Sequence, residues 1–248
     1  MVSGRVEQLH RWPVKSMGGE PVGTYAVDRD GVAGDRAHVV YDRFKEAPRR
    51  LSAREAPRLL AWSAGYGAWD GEVGEAPPPT LVAPDGRRFN WDDPALPAAL
   101  ADDLGREVTV RTAPHGQPDL LGSVLVTTRA THEAIERELG QPLDLRRWRT
   151  NVHVELDAEP FAEERWEGRT LMIGAATFDL LHPCERCVIP TRDPDTQEKL
   201  AALLKHLTRE HGGLFGMNAR ARGPARIAVG DAVSVSDCLP TATMASRK

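Results

Sequence analysis

Short runs of alternating apolar and polar residues dominate the chain. They include VEQLHRW (6–12), GTYAVD (23–28), AHVVYD (37–42), PTLVAP (79–84) and EVTVRT (107–112). SVLVTT (123–128), NVHVEL (151–156), TLMIGAATFDLL (170–181) and ARIAVGDAVSVS (225–236) continue the pattern. Turn formers such as DRDG, APDGRRF and VGDAV separate them. Period-two runs at this spacing predict mostly antiparallel β structure, as a barrel or a sandwich. Three stretches carry helical spacing instead: PALPAALADDLG (94–105), THEAIERELG (131–140) and TQEKLAALLKHLTREH (196–211). The first two end in glycine, a helix stop signal. The third places Leu200, Leu203, Leu204 and Leu207 on one face. Thr131, with Glu133 and Glu136 behind it, reads as a capped helix start.

The loop-like stretches are GAWDGEVGEAPPPTL (67–81) and RTAPHGQPDLLG (111–122). A domain boundary is expected in the second, dividing the chain into 1–115 and 116–248. A chain of 248 residues has ample material for two such units. Its 41% hydrophobic and 27% charged residues are ordinary for a soluble protein. A net charge of −4 gives no sign of a nucleic-acid partner or a polybasic membrane contact. No apolar run reaches the roughly 18–20 residues of a membrane span, and the N-terminus lacks a signal core. A cytoplasmic location is expected.

The chemistry centres on HPCERCVIPTRDPDT (182–196), which holds Cys184 and Cys187, two of three cysteines. A structural zinc site wants four ligands, and the third cysteine, Cys238, sits in a polar tail. A zinc deaminase carries H-x-E followed by P-C-x-x-C. His153 and Glu155, then Pro183 to Cys187, match it in order. That motif needs helices, whereas NVHVEL alternates like a strand and VIPTRDP holds two prolines. A redox pair of the thioredoxin kind also needs a helix, which Pro190 opposes. Two buried structural cysteines remain the plainest reading of the pair itself.

The surrounding residues add to this. RWPVKSMGG, GVAGDRAHVVYD, LSAREAPRLL, RWRTNVHVE, FAEERWEGRTLMIG and PCERCVIPTRDPDTQE occur in that order. Together they resemble the MOSC family (molybdenum cofactor sulfurase C-terminal domain) with its N-terminal β-barrel partner. The similarity is to the branch of the amidoxime-reducing component and YcbX-type proteins, and it runs from about Val6 to Val235. The resemblance implies a mainly β fold of two barrel-like domains with a few peripheral helices. It implies a molybdenum cofactor in molybdopterin form, with a nucleotide extension left open.

By the same resemblance, Cys187 is the thiolate ligand of molybdenum and Cys184 a bystander. A soft thiolate suits this metal, and Arg186 beside it favours ionisation. Lys15 and Ser16 of PVKS, Arg36 of GDR, and Arg149 and Asn151 of RWRTN correspond to the pterin-phosphate contacts. Arginine suits that role through its forked geometry. Asp193 is a candidate for proton delivery. Thr150, Pro190, Arg192 and Gln197 depart from the family pattern. Ser123 or Asp119 stands where relatives carry an acidic start.

The implied activity is reduction of N-hydroxylated small molecules. Electrons would come from a separate flavin or iron–sulfur reductase. An iron–sulfur cluster needs more cysteines than the chain has, no dinucleotide fingerprint occurs, and the ferredoxin domain of some relatives is not expected after ATMASRK. The alternatives are a non-catalytic carrier of persulfide sulfur or of cofactor, and, more remotely, a zinc deaminase.

Overall fold

The computed structural model describes residues 2–45, 47–69, 71, 76–112 and 123–236. The first half contributes β1 (Val2–Arg11), β2 (Glu20–Val22), β3 (Thr24–Asp28), β4 (Gly31–Val32), β5 (His38–Phe44) and β6 (Ala47–Arg50). It continues with β7 (Ser63–Gly65), β8 (Thr80–Val82), β9 (Arg88–Asn90), α1 (Leu96–Leu104) and β10 (Thr109–Thr112). The second half holds β11 (Val124–Thr128), α2 (Arg129–Leu139), β12 (Val152–Leu156), β13 (Thr170–Ile173) and β14 (Ala176–Glu185). It ends with α3 (Ala201–Glu210), β15 (Leu214–Ala221), β16 (Ala225–Ala228) and β17 (Ala232–Ser236).

Seven strands close a barrel in the order β12-β11-β15-β14-β13-β17-β1, with β1 pairing back to β12. Closure leaves these strands no open edge. The inward positions of the alternating runs fill the interior with Val6, Leu9, Val152, Leu171, Phe178, Met217 and Val233. The mainly β, barrel-based fold expected from the sequence is what the chain adopts. The boundary expected near residue 115 falls outside the described residues, but the strand pairing crosses it. β1, the first element of the chain, is a stave of the barrel built by the second half.

One pair departs from the antiparallel rule. β11 and β12 are parallel, and parallel neighbours need a crossover. α2 supplies it, with a 3-10 turn at Leu145–Trp148. β11 is buried along its whole length. The helix starts earlier than expected: the cap is Thr128, whose side chain accepts from the Thr131 N–H, so Thr131 lies in the first turn. The other two helices fall inside the stretches read as helical. α3 buries Leu203 and Leu207 against Trp148 and Phe215, and the last two rings stack at 3.7 Å.

The remainder of the first half has its own core around Met17, Leu59, Trp62, Leu81, Trp91 and Leu100. Two residues at the end of β1 and just past it bind it to the barrel side. Trp12 takes Asp35 Oδ1 through its backbone N–H at 2.8 Å and gives its indole N–H to the Thr150 carbonyl at 2.9 Å. Arg11, with a fully buried side chain, pairs with Glu20 at 2.6 Å and lies 4.8 and 4.7 Å from the Tyr66 and Trp69 ring centroids. The seam between the two units therefore runs past residues 10–17.

Candidate functional site

The PVKS loop leaves β1 at that seam. The Lys15 N–H bonds the His38 carbonyl at 2.8 Å, which pins the loop against β5. Ser16 takes φ +70° and its hydroxyl accepts the Ala53 N–H at 3.0 Å. Both side chains are buried. Arg36 follows the turn after β4 and also lies in the left-handed region, at φ 53°. Its guanidinium pairs with Asp35 and reaches the Arg149 carbonyl at 3.3 Å.

Arg149 terminates the 3-10 turn before β12 with φ 54°. Its guanidinium lies 4.4 Å from the Trp12 ring centroid and gives Nη1 to the Met17 carbonyl at 2.6 Å. Non-glycine residues are uncommon at positive φ, and such strain gathers at functional sites. Ser16, Arg36 and Arg149 are three of the six described here, and all three line one cavity.

Asn151 borders that cavity too, with its amide committed to the main chain. Oδ1 accepts the Leu125 N–H at 3.2 Å and Nδ2 points to the His10 carbonyl at 3.4 Å. It ties β1, β11 and β12 at the point where the cavity opens.

The cysteine segment is a strand end. β14 runs through Pro183 and Cys184 to Glu185, with register irregularities on either side of Pro183. A short 3-10 turn at Ile189–Thr191 follows. No helix starts at either half of the deaminase-like motif, and neither His153 nor Glu155 reaches the cavity. His153 is buried against Thr127, and Glu155 pairs with Arg5 and Arg129. Both cysteines are free and half-buried. Arg186 corrects one expectation: its Nη1 contacts Cys184 Sγ at 3.2 Å rather than Cys187, and Nη2 bonds the Trp148 carbonyl at 2.6 Å. Arg186, the first residue past the strand, turns back toward the residue two before it rather than to its neighbour.

The cavity encloses about 340 Å³, within the roughly 300–1,000 Å³ of small-molecule sites. Lys15, Ser16, Arg36, Arg149, Asn151 and Cys187 all line it, so residues from both ends of the chain meet there. Ser123 lines it as well, whereas Asp119 lies outside the described residues. Sequence reading gave no role to Ser52, Arg54 or Asn218, which also border it. Ser52 and Arg54 belong to the LSAREAPRLL motif; Asn218 sits on β15 without a local signal. His182 lines the cavity with its Nδ1 beside the Asn218 amide at 3.5 Å.

Asp193 is placed differently. It borders a second cavity of about 230 Å³, which shares Arg149 and Ile189 with the first. Its Oδ1 accepts the Asp195 and Thr196 N–H groups at 3.0 and 2.9 Å, and Arg147 pairs with Oδ2 at 2.8 Å. The Thr196 N–H, the Asp195 N–H and the Arg147 charge outweigh burial and hold the carboxyl below the usual range. A carboxylate fixed this way braces the turn.

Residues 114–234 match the sequence model of the MOSC domain, and residues 3–74 match that of the MOSC N-terminal beta barrel domain. The chain belongs to the MOSC family. That family is associated with molybdenum-cofactor binding. A comparison with curated proteins found no match. Among solved structures, the YuaD protein of Bacillus subtilis is similar in fold. It shows TM-score 0.50 and 13% identity over 95% of this chain and 97% of that one. YiiM from Geobacillus stearothermophilus aligns over 46% of this chain and 54% of its own, with TM-score 0.38 and 15% identity.

The cavity's donors fit an anionic, sulfur-rich metal cofactor. Lys15, Arg36, Arg54, Arg149 and Arg186 set five cations against one carboxylate, Glu185, on a chain of net charge −4. Two free thiols stand at the same wall, and thiolate is a ligand for soft metal centres. Among the described residues, no helix is long and apolar enough to cross a membrane.

Proposed function

We propose that this cavity binds the molybdenum cofactor and that the protein reduces N-hydroxylated compounds with electrons from a separate flavin or iron–sulfur reductase. By this proposal the chain is akin to the branch of the amidoxime-reducing component and YcbX-type proteins. The observation that carries the reading is the convergence of Cys187 with Lys15, Arg36 and Arg149 in one cavity.

Bound there, the cofactor would supply a metal centre that exchanges two electrons with substrate. The chain supplies the rest. Cys187 offers the thiolate ligand, and Lys15, Arg36 and Arg149 hold the pterin phosphate. Asn151 and Ser16, tied to main-chain groups, fix the loops that carry those cations. His182 lines the same wall.

The test is metal and pterin analysis of the protein made in a host competent for this cofactor, followed by turnover of an N-hydroxylated amidine with a chemical electron donor. Molybdenum and pterin in equal amounts, with amidine released, support the reading. Cyanide-releasable sulfur without pterin would replace it with a sulfur carrier, and bound cofactor without turnover with a cofactor store.

A further inference from the structure

We propose that Glu138, His206 and His211 form a second metal site, for a divalent first-row cation such as zinc, that clamps α2 to α3. None of the three lines the cavity described above, and the inference stands apart from the cofactor reading.

Glu138 is next to last in α2, His206 lies within α3 and His211 caps its end. Each imidazole Nε2 lies 2.7 Å from the same oxygen, Glu138 Oε2. All three donor atoms fall within 4.8 Å of one another. The imidazoles are well held: their side chains are 14% and 13% exposed, against 34% for Glu138. The His211 ring stacks on Phe161 at 4.0 Å and 15°. Two fixed nitrogens and one mobile carboxylate leave an open side for water.

The donor set has a definite preference. Two imidazoles and a carboxylate suit zinc and its neighbours, and three protein ligands with a free fourth position are a known zinc arrangement. Ligation needs the two Nε2 atoms unprotonated, with a cation in place of both protons. Zinc–ligand bonds of about 2.0–2.1 Å in a tetrahedron put donors about 3.3 Å apart, so each 2.7 Å imidazole–carboxylate distance lengthens by about 0.6 Å while the two Nε2 atoms, within 4.8 Å of each other, take up the same spacing. The local field favours a cation too. Glu164 acts electrostatically on His211, and its Oε1 is buried without a hydrogen-bond partner. Glu138 and Glu164 thus set two carboxylates beside the imidazoles, a balance that a divalent ion closes.

The test is calorimetric titration of chelator-treated full chain with zinc chloride. It is repeated on a Cys184→Ser/Cys187→Ser variant, because those thiols are a rival zinc site. One equivalent should bind in both proteins and raise Tm. Glu138→Gln keeps a hydrogen-bond acceptor for the imidazoles but removes the anionic ligand. It and His206→Ala should weaken zinc binding by more than about tenfold, which is what losing even an outer partner of a ligand costs. Cobalt(II) should give d–d bands without sulfur-to-metal charge transfer. Zinc affinity unchanged by Glu138→Gln, loss of binding only in the cysteine variant, or no binding at all would each overturn the site and leave a hydrogen-bonded carboxylate between two helices.

Discussion

The Arg186 guanidinium stands 3.2 Å from Cys184 Sγ, so the two cysteines of the pair occupy different electrostatic surroundings. Cys184 carries a cationic neighbour. Cys187 takes no hydrogen bond among the described residues. A shared chelate or disulfide would make the loss of either cysteine fail alike, whereas a single thiolate ligand would not. Cys187→Ser should therefore bring reductase turnover to background, because a neutral hydroxyl replaces a soft thiolate. Cys184→Ser should retain molybdenum and much of the activity. Metal analysis and turnover on both variants decide it, and equal losses with zinc in the protein would reject the asymmetry.

Arg149 has two tasks, and its substitutions should separate them. Stacking on Trp12 and bonding to the Met17 carbonyl bind the barrel side to the PVKS loop. Arg149→Glu should lose pterin and also about 1–3 kcal/mol of stability, from the broken charged hydrogen bond and cation–π contact. Arg149→Gly should lose pterin with a smaller stability loss, because glycine takes φ 54° without strain. Denaturant melts and pterin content on the two variants give the split. Equal stability in both would mean that the seam contact carries no weight.

These two sites also show where sequence reading stops. The strands were legible because their apolar positions alternate and the turns between them hold glycine and proline. Their partners were not. That β11 and β12 run parallel follows from the α2 crossover, and that β1 closes the barrel follows from pairings across more than half the chain. The Thr128 cap was missed because TTRAT offers three threonines, and only the strand end singles out Thr128. Lys15, Arg36 and Arg149 were found through order and spacing. His182 and Asn218 join the site by strand register alone, which local composition does not encode.

His38 makes acid stability testable. The residue is buried, with Nδ1 at 3.0 Å from Thr112 Oγ1 and its ring 4.8 Å from that of Trp91. Burial pushes its pKa down to about 4 from 6.5. Between those values the unfolded chain holds a proton that the folded one lacks. Stability from this group is complete above pH 6.5 and is lost as pH falls toward 4, by at most about 1.4 kcal/mol per pH unit. His38→Gln should flatten the stability profile in that window, read by urea melts from pH 4 to 7. An unchanged slope would show that the imidazole charges without unfolding.

Glu163 has the opposite sign. Its buried carboxyl accepts from Thr128 Oγ1 at 3.1 Å and Thr131 Oγ1 at 2.9 Å. Burial raises its pKa despite those bonds. The fold thus favours the protonated acid, and that stability is full below the unfolded value and lost as pH rises through the folded one. Glu163→Gln keeps a neutral donor and acceptor in the same shape. It should raise Tm at pH 8 and show a smaller gain at pH 4.5. A variant less stable than wild type at pH 8 would mean that the carboxylate is preferred.

The barrel's dependence on β1 gives the last test. Val6 and Leu9 are each 1% exposed inside the barrel core, and β1 pairs with β12 on one side and β17 on the other. Removing it uncovers two apolar side chains' worth of core, roughly 1.5–3 kcal/mol each. It also opens two edges of a closed sheet, which invites aggregation. Against a total stability of about 5–15 kcal/mol, a fragment of residues 116–248 should not give a cooperative melt. The pairing also points to a repair. Val2 lies opposite Val235 in antiparallel register, so the end of β17 is beside the start of β1. Joining Ser236 to Val2 by a short turn, in a chain that starts at residue 123 and ends at residue 12, restores every stave in order. That permuted barrel should recover the strand circular dichroism and a single transition that the fragment lacks. A fragment of residues 116–248 that melts cooperatively without β1 would show that the other six staves close by themselves.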